Sequence, residues 1–547
     1  MSIKGRLLLI VLLLGLALGA CARFRASRRA SPPSPAREEE SAQTPEETPV
    51  QATAASQEGE EPRTLSSTLP SLVVLTAAPV STLDPYRMVT RHPDDSVGVH
   101  LWDTLVRIND QLALEPSLAE SWRLVDNLTW EFTLREGVTF HNGEPFDAEA
   151  VRFSVDRAQR LPGSLEPLAL AEGSVQVTVV DTYTVQLVTE KPMPNLPYLV
   201  AFLEILPPGR YQGQDETAVA SDPVGTGPYR FVSQEEDGSV ILEAYSDYWR
   251  GAPAVQRLVF RPVPDTTRRL EALRRGEAHL ITDLPPARAE EASTEVSRLE
   301  AVESTRRLFI GIRFDPASPL ADRRVRQALN YAINVQELVD RYHAGYGRRY
   351  ASWVNPPNAN PDLTPWPYDP DLARNLLAEA GYPDGFAITL DTPVGRYPQD
   401  KAIAYAIADQ LAAVGVQVQV QPQEDWETYV RQKLIPKETA PLFLLAIASE
   451  ANGLEDAQNL AYDFPLNPTR WFNEEFEALL DEARGTFNEE RRQELLNQAQ
   501  ALAYEEAPWI WLWRLYDFYG VAKGLAWTPR ADGLVDLYWP LEGASSD

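Results

Sequence analysis

The sequence predicts a mixed α/β protein of two or three domains, a strand-rich first part followed by an α/β region over about 316–510. Three observations carry this expectation. About 480 residues follow Ser67, more than one hydrophobic core accommodates. The first half is patterned with a period of two, and the second half carries capped helices with a 3.6-residue apolar stripe.

In chain order, SLVVLT reads as a short buried strand, and LTWEFTL (128–134) places Leu128, Trp130, Phe132 and Leu134 on one face before the turn HNGEPF. Asp147 is placed to cap a helix carrying Val151 and Val155. SVQVTVVDTYTVQLV (174–188) alternates again and predicts a hairpin about Asp181 and Thr182. The stretch 190–228 is rich in Pro and Gly and reads as loops. ILEAY and QRLVFRPV then read as strands, and TTRRLEALRRGE as a helix whose last turn is basic, as the helix dipole prefers.

In the second half, VRQALNYAI puts Val325, Ala328, Leu329 and Ala332 on one helical face, and Asn334 opens a new helix. YDPDLARNLLAEAG has the full punctuation of a helix, with Asp369 as cap, Pro370 at the first position and Gly381 as stop. A helix over about 398–413 ends at Gly415, and the strand VQVQVQP follows. Two more helices are expected at 473–484 and 487–505, the second with Thr486 and Glu489 spaced as a capping box. Trp509, Trp511 and Trp513 alternate as on a strand, with core packing their simplest role.

The N-terminus has a different purpose. Lys4 and Arg6 precede fourteen residues, Leu7–Ala20, without a polar side chain. That run is too short to span a bilayer and has the length of an export signal. Leu18-Gly19-Ala20-Cys21 resembles the lipobox of bacterial lipoproteins, which makes Cys21, the only cysteine, the expected lipid-attachment site and 1–20 a signal peptide. With that thiol acylated, no disulfide is possible. Residues 21–66, rich in Pro, Glu, Ala, Ser and Thr, cannot bury enough apolar surface to fold and read as a disordered tether. The protein is thus expected on the outer face of the cell membrane, in a periplasm if the host has an outer membrane.

A formal charge of −29 argues against nucleic acid as a partner. HExxH, GxSxG and the phosphate-binding GxxxxGK[ST] are absent, and the five histidines are dispersed without metal-ligand spacing. The expectation is a binding protein rather than an enzyme, with no cofactor and no metal. A surface hydrolase or a structural or signalling lipoprotein is the alternative.

Blocks along the folded chain then resemble the family 5 extracellular solute-binding proteins of ABC importers. They are STLDPY (81–86), LWDTLVRIND (101–110), LTWEFTLREGVTFHNGEPFDAEAVRFS (128–154), DPVGTGPYRF (222–231), YSDYWRGAPAVQRLVF (245–260), DRRVRQALNYAIN (322–334) and YDPDLARNLLAEAGYPDG (368–385). The resemblance implies a two-lobed, periplasmic-binding-protein-like fold of type II with an extra subdomain inserted in the first lobe. It assigns lobe 1 to 67–96, 222–315 and 512–547, the inserted subdomain to 97–221 and lobe 2 to 316–511, with hinge strands near 308–316 and 508–516. It implies a monomer that captures an oligopeptide or similar solute, or a non-peptide solute, and hands it to a membrane permease without making or breaking a bond.

Candidate ligand residues follow from the same blocks. Gly225 and Gly227 of DPVGTGPYRF free the backbone to approach another chain, either an extended ligand or a tight interdomain turn. In IASEANGLEDAQNL the Gly-Trp of peptide binders is absent, Glu450 stands nearest the acid that pairs with a peptide amine, Asp456 fits the later acid, and Asn452 lies between. Arg470 and Trp471 are candidates for an anion contact and a stacking platform, Trp426 for the lining of lobe 2, and Trp102 for the pocket or for packing.

Overall fold

The computed structural model describes residues 69–88, 91–161, 164, 174–448, 452–464 and 467–541. Cys21, the tether and Glu450 lie outside the described residues. One large mixed sheet runs through the molecule. Its strands are β1 (Leu72–Thr76), β2 (Tyr229–Gln234), β3 (Val240–Ala244), β4 (Arg257–Pro262), β5 (Leu280–Ile281), β6 (Ser297–Ile312), β7 (Phe386–Pro393), β8 (Val416–Gln423), β9 (Leu442–Ile447) and β10 (Trp509–Ala522). Their spatial order is β8-β7-β9-β6-β10-β5-β1-β4-β3-β2, with the short strand Arg348–Arg349 beside β10.

The long antiparallel pair β6 and β10 joins the two lobes. Leu299 and Ala301 pack with the first-lobe cores, whereas Leu308, Ile310 and Ile312 enter the second. The return strand passes from Leu515 in the second lobe to Phe518 in the first. Register shifts between Glu303 and Arg307, and between Arg307 and Phe309, mark the crossing. Irregular pairing bends a strand where two rigid layers must diverge. The crossing thus lies a few residues earlier on β6 than the expected 308–316, because the apolar run FIGI belongs wholly to the second core.

The sequence-level elements largely recur. Asp147 caps helix α1 (Ala148–Arg160) and Asp369 caps Pro370–Glu379, each accepting backbone N–H bonds. Gln399 at φ 60° precedes helix α2 (Asp400–Ala412), followed after Gly415 by β8. Three elements differ. Leu128 is exposed in a turn rather than on the strand face, since the strand begins at Thr129. The stretch 190–228 contains short helical turns at Leu196–Leu199, Pro208–Tyr211 and Ala218–Ser221. The last long helix is capped by Asn488, which accepts from Arg491 N at 2.8 Å, while the Thr486 hydroxyl bonds back to Glu482 O of the preceding helix.

Within the inserted subdomain a four-stranded antiparallel sheet, Ala119–Asp126, Thr129–Leu134, Thr184–Thr189 and Val175–Asp181 in spatial order, packs with α1. Its core is continuous with that of lobe 1, through Trp102, Tyr229 and Phe260. Lobe 2 has two cores, one on each face of its part of the sheet. Trp509 and Trp511 enter one, Ile510, Leu512 and Trp513 the other, so β10 is buried on both faces.

Candidate ligand cleft at the lobe crossing

In lobe 2, β7 is parallel to both β8 and β9, so residues 393, 423 and 447 end the strands on one side. Because Ile447 pairs with Arg307, that side faces the crossing. In open α/β sheets the crevice beyond the carboxyl ends of strands is where ligands bind. In lobe 1, β1 is parallel to β5, and the segment after β5 carries Asp283 towards the same crossing.

The loop after β7 is built around one carboxylate. Asp400, buried, accepts from the backbone N–H of Gly395 at 3.1 Å, Arg396 at 2.8 Å, Tyr397 at 3.0 Å and Lys401 at 2.7 Å. Four converging donors hold the loop in one shape and aim Arg396 outward. Its guanidinium lies over the Trp426 ring at 5.1 Å, and no carboxylate pairs with it among the described residues. A stacked, un-neutralised guanidinium is preorganised for an anionic group. Tyr397 donates to Ala446 O at 3.3 Å, which ties this loop to the end of β9. Burial pushes the Tyr397 hydroxyl up, partly offset by Arg396 and Arg306 beside it. Arg306, at the floor of the crossing, pairs with Asp517 of β10 and also feels Tyr519 and Asp283.

The sequence-derived candidates separate. Trp426 is half-buried beside Arg396 and Tyr397. Asn452 caps helix α3 (Gly453–Gln458), accepting from Leu454 N at 2.9 Å. Asp456 is wholly buried, 3.1 Å from Arg307 and accepting from Asn355 N at 2.7 Å. Arg470 is at the surface, 2.8 Å from Glu438. Trp471 is buried in the lobe 2 core against Phe476, 4.8 Å between ring centroids. Arg470 is paired with Glu438 and Trp471 is enclosed, whereas Arg396 and Trp426 lie side by side at the crossing. Arg396 was legible only as part of a polar turn, because nothing in TPVGRYPQD shows which side chain Asp400 leaves outside.

Trp102, Gly225 and Gly227 form a closed turn. A Cβ on Gly225 would stand 2.1 Å from Leu101 O and 2.4 Å from Trp102 Cδ1, and one on Gly227 2.6 Å from His100 O. Trp102 donates to Val224 O at 3.3 Å. The backbone approach that the glycines permit is thus to residues 100–102, as in the interdomain-turn reading. The neighbouring Asp103 accepts from Thr226 Oγ1 at 3.0 Å, Tyr248 OH at 3.0 Å and Trp249 Nε1 at 2.9 Å. Burial pushes its carboxyl up, against those three donors. The LWDTL, GTGPY and SDYWRG blocks therefore meet at one half-buried carboxylate.

A cavity of about 640 Å³ lies elsewhere, on the inserted subdomain between α1 and residues 208–219. Its arginines are already paired, Arg157 with Asp84 at 2.7 Å, Arg160 with Asp156 at 2.6 Å and Arg152 with Glu149. It offers no un-neutralised group comparable to Arg396. Among the described residues no cluster of His, Cys, Asp and Glu has the arrangement of a metal site.

Comparison with known proteins agrees with this architecture. The model for bacterial extracellular solute-binding proteins, family 5, matches residues 113–466. The glutathione-binding protein GsiB of Salmonella paratyphi A is 30% identical over 456 residues, 80% of this chain and 88% of that protein. Among solved structures, HbpA2 of Haemophilus parasuis superposes with a TM-score of 0.75 at 26% identity, covering 86% of this chain and 99% of that one. The oligopeptide-binding protein AppA of Bacillus subtilis, in complex with a nonapeptide, shares the fold at a TM-score of 0.70 and 19% identity, covering 87% of this chain and 100% of that one. With a family model matched over 113–466 and a 30% identical relative covering 80% of the chain, the protein belongs to family 5 of the bacterial extracellular solute-binding proteins.

Proposed function

We propose that the protein captures a small peptide or peptide-like solute with a free carboxylate, seats that carboxylate on Arg396 beside Trp426, and works from a lipid anchor at Cys21. At family level it is the solute-binding component of an ABC importer, a non-catalytic role. The single observation that carries the finer reading is the un-neutralised Arg396 guanidinium at the carboxyl ends of the lobe 2 strands. The glutathione-binding relative supports it, since glutathione is a peptide bearing carboxylates. A lobe boundary on β6 is supported by the entry of Leu308, Ile310 and Ile312 into a lobe 2 core, while the 97–221 subdomain shares one continuous core with lobe 1. Ligand would favour the closed form only by binding it more tightly than the open one, and the permease reads that difference.

No helix among the described residues is long and apolar enough to cross a membrane. In this reading attachment rests on an acylated Cys21 and the tether of about 45 residues that follows it, holding a monomeric receptor at high effective concentration near its permease. The test is native mass spectrometry of the full chain, purified gently in detergent, with identification of the released ligand. Peptides or other carboxylates support the reading, and a neutral sugar overturns it. Cys21→Ser should move the protein from the membrane to the aqueous fraction, whereas retention would exclude the anchor.

A further inference from the structure

Helix α3 makes two contacts with consecutive side chains. Asp456 turns into lobe 2 and pairs with Arg307 at the crossing. Glu455 turns the other way, and its Oε1 accepts from Asn195 Nδ2 of the inserted subdomain at 2.5 Å. Gln458, three residues along the helix, donates to Oε2 and holds the carboxyl in line. Asn195 is itself fixed, since it directly precedes the turn Leu196–Leu199, whose leucines belong to the first-lobe core. A second contact flanks the first. Phe487 packs against the first-lobe core, 6.2 Å from Trp130 between ring centroids.

We propose that Glu455 is a positioning residue for solute capture, a latch that binds the inserted subdomain to lobe 2 only when the lobes are closed. The physical reason is its place. Glu455 is half-buried and meets Asn195 of the inserted subdomain, so opening breaks that bond and exposes the carboxyl further to water. The subdomain is thereby part of the closing interface, and the strength of the latch sets how much of the empty protein is closed.

The charge of the latch adjusts that balance. Burial pushes the Glu455 carboxyl up to about 6, with Asn195 and Gln458 opposing, and among the described residues the charged groups acting on it are Asp456 of the same helix and Arg484 of the neighbouring one. Opening that exposes the carboxyl to water would move the value back towards the ordinary carboxylate value of 4.5. A carboxyl whose value is higher when closed binds its proton more tightly when closed. Closure is therefore favoured as pH falls from above 6 towards 4.5, and disfavoured once the group is ionised in both forms. From pH 7.5 to 5.5 the closed-to-open ratio of the empty protein should rise about fourfold.

The test is the distance between spin labels at Val180→Cys in the subdomain and Tyr405→Cys in lobe 2, both exposed sites, in ligand-free Cys21→Ser protein at the two pH values. The short-distance population should grow at pH 5.5. Glu455→Gln, which keeps the shape without the charge, should hold the larger closed population at both pH values. Asn195→Ala should shift the unsubstituted latch towards the open form but have no further effect in Glu455→Ala protein. Additive effects of the two substitutions, or an unchanged pH response in Glu455→Gln, would overturn the proposal. Thermal unfolding of each variant separates a loss of folding from a shift in closure.

Discussion

Arg307 and Asp456 face each other across 3.1 Å with neither side chain exposed to solvent. The pair joins the strand that crosses between the lobes to helix α3, and Trp353 Nε1 donates to the Asp456 carbonyl at 2.8 Å. Among the described residues Arg307 has no hydrogen-bond partner at Nε or Nη1, and Asp456 is the carboxylate that neutralises it.

Asp456→Ala leaves that guanidinium buried and uncompensated. The expected loss is about 3–5 kcal/mol, because breaking one side of a buried pair costs more than removing both. Urea unfolding checks this, and the Arg307→Met, Asp456→Leu double variant should lose clearly less than Asp456→Ala alone.

Gly225→Ala places a methyl 2.1 Å from a backbone oxygen that cannot move aside without disturbing the Leu101–Trp102 segment. Overpacking of this kind costs about 1–3 kcal/mol or more. Gly485→Ala, in the last turn of a helix with open space around it, should be neutral or stabilising by up to about 1 kcal/mol. Thermal melts of the two variants should therefore move in opposite directions or differ by several degrees.

Arg396→Gln should weaken binding of a carboxylate ligand at least tenfold, the effect of about 1.4 kcal/mol lost from a charge-assisted contact. The melting temperature of the empty protein should not change, as the side chain is exposed. Asp400→Ala should lower both affinity and stability, because it strands four backbone donors and releases the loop that aims Arg396. Calorimetric titration with free and C-terminally amidated forms of the same peptide distinguishes a carboxylate contact from a general loss of binding.

The protein should lose stability in mild acid. Burial lowers His141 to about 4, with the Gly227 carbonyl opposing and Arg230 adding to the shift. Its Nδ1 accepts from Gly225 N at 3.3 Å while Nε2 meets Gly227 O at 2.9 Å, an arrangement that requires the neutral ring. His343, packed on Trp513, is likewise lowered by burial to about 4. The unfolded chain takes up these protons near pH 6.5, before the folded one does. Stability conferred by each ring is therefore full above pH 6.5 and falls as pH drops towards 4, by up to about 3 kcal/mol per ring. Unfolding midpoints measured from pH 7.5 to 4.5 should decline, and His343→Leu should flatten the slope.

Helix starts were readable because their signals are local. Asp147, Asn334 and Asp369 each satisfy backbone donors two or three residues ahead, and nothing distant competes. The cap of the last long helix was misread at Thr486, because Asn488 two residues later offers a carbonyl to Arg491 N while the threonine hydroxyl is drawn to the preceding helix. Trp426 could be placed near the cleft, but Trp471 could not be told from it, since both are tryptophans at the edge of helical segments. Only packing against Phe476 buries one and leaves the other beside Arg396.

The sequence alone determined the mixed α/β class, the succession of elements and the resemblance that identifies the family, because periodicity, caps and motif order are written along the chain. Tertiary structure decided which charges remain available. Asp456 met Arg307 in the core, Arg470 met Glu438 at the surface, and Glu455 met Asn195 across the lobes. Arg396 was left facing the crossing without an acid among the described residues, and a charge becomes a binding group only when the fold withholds its partner.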